Sequence, residues 1–206
     1  MRFTQIPETT FKELQLNAGV LMRSFDPETA EVSGIEGATT GGIKFSAVPS
    51  WIDMGEDIDN CPKNMMELKE LDTWDIKMSG TYVSVNAASI KNMIAAADVS
   101  GNKITPRNDI LEEDFKDLWW VGDYSDKNGD SNGGFIAIHM MNGLSTGGFQ
   151  IQTGDKSKGQ FAFEFTGHYS IKNQAQVPFE VYIQAGADET AAAAANPAEN
   201  EATAGE

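Results

Sequence analysis

Cysteine and histidine are nearly absent from this sequence of 206 residues, which contains one cysteine, Cys61, and two histidines, His139 and His168. A single cysteine cannot form a disulfide within the chain, and such scarcity is typical of proteins made in a reducing cytoplasm. A zinc site needs three or four Cys, His or carboxylate ligands held close together. Cys61 has no second cysteine and no nearby histidine in the sequence, so we expect neither a zinc site nor any other cofactor.

Basic residues are also few. Fifteen lysines and arginines stand against 31 acids, and the formal net charge is −16. Proteins that hold nucleic acid do so mainly through lysines and arginines that displace the counterions of the phosphates. We therefore expect no specific binding of nucleic acid, and no binding to an anionic membrane surface.

Long apolar runs are missing as well. No segment approaches the ~18 apolar residues of a membrane-spanning helix. The start of the chain, MRFTQIPETTFKEL, has no apolar stretch like that of a signal peptide. The sequence thus predicts a protein that is synthesised in the cytoplasm and does not enter a membrane.

The chain divides into a body and a tail. The body, residues 1–186, has apolar and aromatic residues throughout, which are needed to bury a core. The tail, residues 187–206, is rich in Ala and Glu and has no aromatic, branched aliphatic or basic residue. Such a composition predicts disorder. Five of the 31 acids lie in the tail, so the body holds 26 acids against 15 bases, a net charge of −11.

Several segments of the body alternate apolar and polar residues with the period of two that predicts β-strands. FAFEFT places Phe161, Phe163 and Phe165 on one face. VPFEVYIQ and GFQIQT alternate in the same way, and GGFIAIHMMN is apolar enough to be buried on both faces. TWDIKMSGTYVSV alternates up to Met78 and then slips in phase at Gly80, where we predict a β-bulge.

One segment predicts a helix. NAASIKNMIAAAD spaces Ile90, Met93, Ile94 and Ala97 along one helical stripe, and Asn86 or Ser89 is the expected N-cap. Five or more strands with one helix predict a mainly β fold. We expect a β-sandwich or open barrel of two antiparallel sheets with a flanking α-helix.

A G-x-S-x-G motif at Gly143–Gly147 raises the hypothesis of a serine hydrolase, with Asp155 and His168 following Ser145 in the order acid, then histidine. A nucleophile elbow places its serine on a turn from a strand into a helix. The residues after Ser145 instead predict another strand. We expect Ser145 to lie in a glycine-rich connection between strands, and we expect no enzymatic activity.

Two acid-rich segments raise other hypotheses. Asp126, Asn128 and Asp130 have the alternate spacing of a calcium loop, but the required Gly and the final Glu are missing, so a polar hairpin tip is favoured. Asp53, Glu56, Asp57 and Asp59 fall within seven residues and predict an exposed acidic loop rather than a catalytic acid–base pair.

The body also resembles a known family over residues Lys12 to Gly186, nearly its whole length. The resemblance lies in an ordered series of blocks: KELQLNAGVLMRSFDP, GATTGGIKFSAVPSWIDMGEDIDNCPKNMMELKELDTWDIKMSGTYVSV, AADVS, DLWWVGDYSDKNGDSNGGFIAIHMMNGLSTGGFQIQT and KGQFAFEFTGHYS. These blocks are similar to the major tail protein, or tail tube protein, of long-tailed bacteriophages and prophages of Gram-positive bacteria. The tail from residue 187 lies outside the resemblance.

The resemblance implies a tail tube domain over residues 1–186, with packed antiparallel sheets, a flanking helix, a long loop and extended arms, one of them at QLNAGVLMRSF. It also implies a virion protein whose subunits form rings, usually hexamers, that stack into a hollow tube. The expected partners are other copies of the chain, a tape measure protein, and tail terminator and tip proteins. DNA passes through the lumen during ejection without specific binding.

The charge of the body predicts a lumen that is net negative, because acidic walls repel the phosphates of a duplex. The polar positions of the alternating strands supply the candidate lumen-facing residues, which are Gln150, Gln152, Asp155 and Glu164. Two alternatives remain open. The chain fits a monomeric β-sandwich binding module, such as an adhesin or carbohydrate-binding domain, or an enzyme that uses Ser145 or the acidic loop.

Overall fold

The computed structural model describes residues 6–7, 10, 13–124 and 133–186. This part of the chain is mainly β, with a single α-helix among its residues. In chain order the elements are β1 Gln15–Phe25, β2 Val32–Ile35, β3 Thr39–Asp53, β4 Lys69–Tyr82, α1 Ala87–Ile94, β5 Ala97–Ser100, β6 Lys103–Pro106, β7 Lys116–Tyr124, β8 Gly134–Ser145, β9 Phe161–Thr166 and β10 Phe179–Gln184. Short 3-10 turns span Met66–Leu68 and Glu112–Asp114.

Two antiparallel sheets share the long strand β8. The first sheet has the order β2-β1-β7-β8-β10, and the second has the order β8-β9-β4-β3. Residues 134–143 of β8 pair within the first sheet, whereas Leu144 and Ser145 pair with β9 of the second. Strands β5 and β6 form a separate hairpin. The predicted fold class, a β-sandwich of two antiparallel sheets with a flanking helix, is confirmed.

The main core lies between the two sheets. The first sheet contributes Leu21, Leu118 and Met140, and the second contributes Ile76, Met78, Tyr82, Phe163 and Phe165. Met93 of α1 joins the same core, so the helix closes one side of the sandwich. The phenylalanines of FAFEFT therefore face the core as their alternation predicts. A smaller cluster of Met22, Phe25, Trp119 and Ala137 covers the opposite face of the first sheet.

Helix α1 begins as the sequence predicts and ends early. The side chain of Asn86 caps it by accepting a hydrogen bond of 2.9 Å from the backbone N–H of Ser89. The helix stops at Ile94, because Ala95 takes a positive φ of 69°. Ala97 is buried, as the predicted stripe requires, but it belongs to β5 rather than to the helix.

The predicted bulge at Gly80 lies on the neighbouring strand. Strand β4 keeps its phase through Gly80, and Met78 and Tyr82 on either side are both buried. The extra residues are Gly41 and Gly42 of β3, whose φ values are 76° and 81°. Residues other than glycine rarely adopt this conformation. In the sequence alone, Gly80 looked like an interruption of the apolar alternation after Met78, because the partner strand that carries the bulge was unknown.

Two further predictions about strands are wrong. GFQIQT is not a strand, because only Gln152 is paired, in an isolated bridge to Gln160. QLNAGVLMRSF is not an arm, because it forms β1 and pairs with β2 and β7 of its own sheet. Residues 1–5, 8–9, 11–12 and the acidic tail lie outside the described residues.

Candidate assembly surfaces

Ser145 is the last residue of β8 and is buried, with 9% of its surface exposed. Its hydroxyl donates a hydrogen bond of 2.7 Å to the backbone carbonyl of Met93. No helix follows it, because the described chain runs irregularly from Thr146 to the next strand at Phe161. Ser145 therefore lies at the end of a strand and not in a glycine-rich connection, so this prediction is wrong. It also lacks the strand-to-helix turn of a nucleophile elbow.

The other two members of the serine hydrolase hypothesis do not join Ser145. His168 lies edge-on to Phe115, and its Nδ1 is 3.2 Å from the backbone carbonyl oxygen of Asn142. Asp155 is exposed in the turn that precedes β9. The hydroxyl of Ser145 and Nδ1 of His168 each contact a backbone carbonyl rather than each other. The side chains of Ser145, Asp155 and His168 therefore do not form a catalytic triad.

The acidic segment from Asp53 to Asp59 lies at the tip of the long β3–β4 hairpin. The carboxylate of Asp53 accepts hydrogen bonds from the backbone N–H groups of Gly55 and Asn64, at 3.0 and 2.9 Å. These hydrogen bonds, chiefly the one from Asn64, hold the pKa of Asp53 below its ordinary value. Glu56, Asp57 and Asp59 are exposed, so the prediction of an exposed acidic loop is confirmed.

Metal ligands are not gathered anywhere in residues 6–7, 10, 13–124 and 133–186, where no group of three or more Cys, His, Asp or Glu side chains is placed to hold an ion. Cys61 is half-buried, and its Sγ lies 3.4 Å from Sδ of Met65. The calcium hypothesis at Asp126, Asn128 and Asp130 falls outside the described residues. The strands on either side of them, β7 and β8, pair as the predicted hairpin up to Tyr124 and Gly134.

Residues 51–72, which we call the arm, form a two-stranded extension of the second sheet. Strand β9 pairs with β4 only from Lys77 to Tyr82, so β4 has β3 as its only paired neighbour along the arm. The arm contains seven acids and two lysines, a net charge of −5. It also exposes large apolar side chains: Trp51 at 54%, Met66 at 82%, and Ile52, Met54, Ile58 and Leu71.

The tip of the arm has a defined conformation. Besides the two hydrogen bonds to Asp53, the backbone N–H of Met54 donates to the carbonyl of Leu68 at 2.8 Å, and that of Cys61 donates to Ile58 at 3.1 Å. Gly55 is buried against Leu68 and Cys61, where a Cβ would come within 2.9 Å of the Leu68 side chain. The backbone at the tip of the arm is therefore held by its own hydrogen bonds.

A cleft of about 420 Å³ lies at the other end of the same two strands. It is lined by Thr39 and Thr40 at the start of β3, by Val83 just after β4, and by the turn that precedes β9. We call residues 149–160 with this cleft the docking end. Its turn, residues 153–159, carries Lys156 and Lys158 against the single acid Asp155. Phe149 and Ile151 beside it are exposed.

The four candidate lumen-facing residues do not share one strand. Glu164 lies in β9, on the face opposite the core phenylalanines, and its carboxylate is 3.3 Å from the hydroxyl of Thr146. Gln150 donates to the backbone carbonyl of Gly147 at 2.9 Å, and Gln152 bridges to Gln160. Asp155 lies in the following turn. The predicted place on the polar face of an alternating strand is confirmed for Glu164 and wrong for Gln150, Gln152 and Asp155, and the position of all four in a lumen stays a prediction.

In the two large sheets of the described part of the chain, three strands have a paired neighbour on one side only. β2 pairs only with β1, β10 only with β8, and β3 only with β4. The strand predicted at VPFEVYIQ is confirmed as β10, and Phe179 packs in the core. Val181 and Ile183 on the same face are exposed, contrary to the buried face that their alternation predicts.

Comparison with known proteins adds no relative, because neither a protein-family model nor a curated protein matches this chain. Among the described residues, no helix is both long and apolar enough to cross a membrane.

Proposed function

We propose that this chain is the structural subunit of a phage tail tube. Copies self-assemble into stacked rings, hexameric as in the family that the sequence resembles, and the rings form a hollow conduit in the virion. The observation that carries the proposal is the arm, which exposes Trp51, Met66 and further large apolar side chains on a hairpin with a free edge at β3. Six large exposed apolar side chains within 22 residues are more than scattered surface hydrophobics, and such concentrations mark sites of protein–protein contact.

The free edges support the same proposal. An unpaired edge strand offers backbone N–H and C=O groups to another chain, and proteins normally protect such edges. β3 has partial protection in its glycine bulge, Lys44 and Pro49, but all of these precede the arm. β10 has Val181 and Ile183 exposed beside its free edge. Packing of these strands against other copies in a closed ring removes both the edge and the exposed apolar surface.

In the assembled tube, DNA and the tape measure protein pass through the lumen, and the terminator and tip proteins contact the two ends. The excess of acids keeps the wall from binding the duplex, because a narrow channel focuses the field of its charges on the phosphates. Glu164 and Asp155 are the acidic candidates for this wall, with Gln150 and Gln152 as neutral ones.

The alternative is a monomeric β-sandwich binding module. The docking end favours this candidate, because an open cleft lined by threonines, glutamines and a lysine offers the hydroxyl, amide and ammonium groups that bind glycans. Under this alternative the exposed apolar residues of the arm have no role in self-assembly.

Sedimentation velocity over a hundredfold range of concentration tests the proposal. We expect the wild type to form large species as its concentration rises. The double variant Trp51→Ser, Met66→Ser should remain small, and Ile110→Ser, which changes an exposed apolar residue outside the arm, should sediment as the wild type does. A wild type that is monomeric throughout and binds a glycan column contradicts the proposal and supports the binding module.

A further inference from the structure

The side chain of His139 lies between two carboxylates on the outer face of the first sheet. Its Nε2 is 3.3 Å from a carboxylate oxygen of Asp117 on β7, and its Nδ1 is 3.8 Å from one of Glu180 on β10. The imidazole ring stacks on the indole of Trp119, with ring centroids 4.0 Å apart and ring planes 6° apart. One side chain of β8 thus contacts acidic groups of both neighbouring strands.

The other groups around this imidazole are acidic or neutral. In the described part of the chain, neither Asp117 nor Glu180 forms an ion pair with a lysine or an arginine. The remaining titratable group is Tyr182 of β10, whose hydroxyl donates a hydrogen bond of 2.6 Å to the carboxylate of Glu180. Strand β1 contributes apolar side chains to the same cluster, Met22 and Phe25. The imidazole is therefore the group placed to compensate the two carboxylates.

The geometry favours the protonated form of the imidazole. A neutral imidazole has one N–H group, so one of its two nitrogens turns a lone pair toward a carboxylate. The protonated ring has an N–H on each nitrogen and faces an acceptor with both. A cation is also attracted to the face of an indole ring, which Trp119 supplies. The contact with His139 is also the chief reason that the pKa of Asp117 lies below its ordinary value.

We propose that Asp117, protonated His139 and Glu180 form a clamp that holds the edge strand β10 on the first sheet, and that the clamp opens when the imidazole loses its proton. Strand β10 pairs with β8 alone among the described strands, along Phe179–Gln184. The clamp adds a charged contact that reaches across β8 to β7. It acts within a single copy of the chain, so it does not depend on the proposed function.

The clamp is closed in mild acid and open in mild alkali. A group that binds its proton more tightly in the folded chain stabilises the fold while it is protonated, and this stabilisation is lost as the pH rises. Histidine side chains lose their proton around neutral pH, so we expect the clamp to open between about pH 6 and about pH 8.5. Carboxylates take up protons below about pH 5, so both acids are still charged at about pH 6.

Nitrogen NMR of the full chain tests whether the imidazole is charged. At about pH 7 an ordinary histidine is largely neutral, and we expect both ring nitrogens of His139 to carry a proton there. His168 is the internal control, because its ring contacts Phe115 and the backbone carbonyl of Asn142 rather than carboxylates. A ring of His139 that is no more protonated than that of His168 overturns the proposal.

Hydrogen exchange of dilute protein, corrected for the intrinsic pH dependence of exchange, tests whether the imidazole holds β10. We expect the amides of Phe179–Gln184 to be about three- to fivefold better protected at about pH 6 than at about pH 8.5, as suits a partly exposed ion pair. His139→Gln should abolish the difference, since an amide does not titrate. His168→Gln is the matched control and should retain it. The amides of β9, Phe161–Thr166, should show no such dependence.

Glu180→Gln separates the clamp from a general effect of pH. This variant keeps the imidazole and an acceptor for Tyr182 but loses one of the two charges, so protection of β10 at about pH 6 should fall to its value at about pH 8.5. Thermal melting verifies that each variant folds. Equal protection at both pH values in the wild type, or a difference that survives His139→Gln, overturns the clamp. Neither result bears on the tail tube function, which sedimentation tests separately.

Discussion

The hydroxyl of Ser145 donates a hydrogen bond of 2.7 Å to the backbone carbonyl of Met93, and this bond fastens the end of β8 to the last turn of α1. Strand β8 belongs to both sheets, so the bond holds the helix at the place where the two sheets meet. The serine of the G-x-S-x-G motif therefore has a structural role that explains its burial.

Replacement of Ser145 by Ala should destabilise the fold. The carbonyl of Met93 loses its buried donor, and a hydrogen bond of this kind contributes about 1 kcal/mol to the free energy of unfolding. Urea unfolding measures the change, with Ser157→Ala in an exposed turn as the control. A Ser145→Ala variant with unaltered unfolding would show that this bond contributes nothing to stability.

Much of the fold follows from local patterns in the sequence. FAFEFT forms a strand because its three phenylalanines face a core, and Asn86 caps α1 because its side chain reaches the N–H of Ser89. These features depend on residues close together in the chain. The two-sheet arrangement is one of the few in which several amphipathic strands bury their apolar faces.

Other features depend on partners that are distant in sequence. GFQIQT has the period of a strand, yet no neighbouring strand pairs with Phe149 or Ile151, and both stay exposed. The bulge near Gly80 belongs to Gly41 and Gly42 because the register of β3 places the extra residues there. The arm was recognisable in sequence only as an acidic loop, because its length and exposure follow from where the pairing with β9 stops.

Asp53→Ala should loosen the tip of the arm without unfolding the sandwich. The substitution removes the acceptor of the N–H groups of Gly55 and Asn64, which lie outside the core. We expect trypsin to cleave after Lys63 at least several times faster, with a melting temperature within a degree or two of the wild type. Glu70→Ala, in the strand of the arm, is the control. Cleavage at the wild-type rate would mean that the tip is ordered by other contacts.

Asp117 should contribute to the acid sensitivity of the fold. Its carboxylate lies 3.3 Å from Nε2 of His139 and accepts a hydrogen bond of 2.9 Å from the backbone N–H of Asn142. These contacts, chiefly the one with His139, hold the pKa of Asp117 below its ordinary value of 3.8. A lowered pKa in the folded state means that the carboxylate stabilises the fold above its unfolded pKa and that this contribution is lost as the pH falls through the folded pKa.

The Asp117→Asn variant should therefore lose stability at neutral pH and show a shallower loss between about pH 5 and pH 3 than the wild type. The side chain is half exposed, so solvent screens the interaction and the difference should stay within about 1 kcal/mol. Urea unfolding at a series of pH values measures it. Parallel curves for the variant and the wild type would show that Asp117 has the same pKa in the folded and unfolded states.

Removal of residues 187–206 should leave the body folded. The segment has no aromatic or branched aliphatic residue to bury, so its loss should shift the melting temperature by no more than a degree or two. Differential scanning calorimetry of the truncated and full chains makes the comparison. A fall of many degrees would indicate that this segment packs against the body.

Electron microscopy of the purified full chain at increasing concentration tests the central claim most directly. The account predicts closed rings that stack into hollow tubes. Uniform particles the size of a single copy, at concentrations where the protein is folded and with tail terminator and tip proteins added, would contradict it.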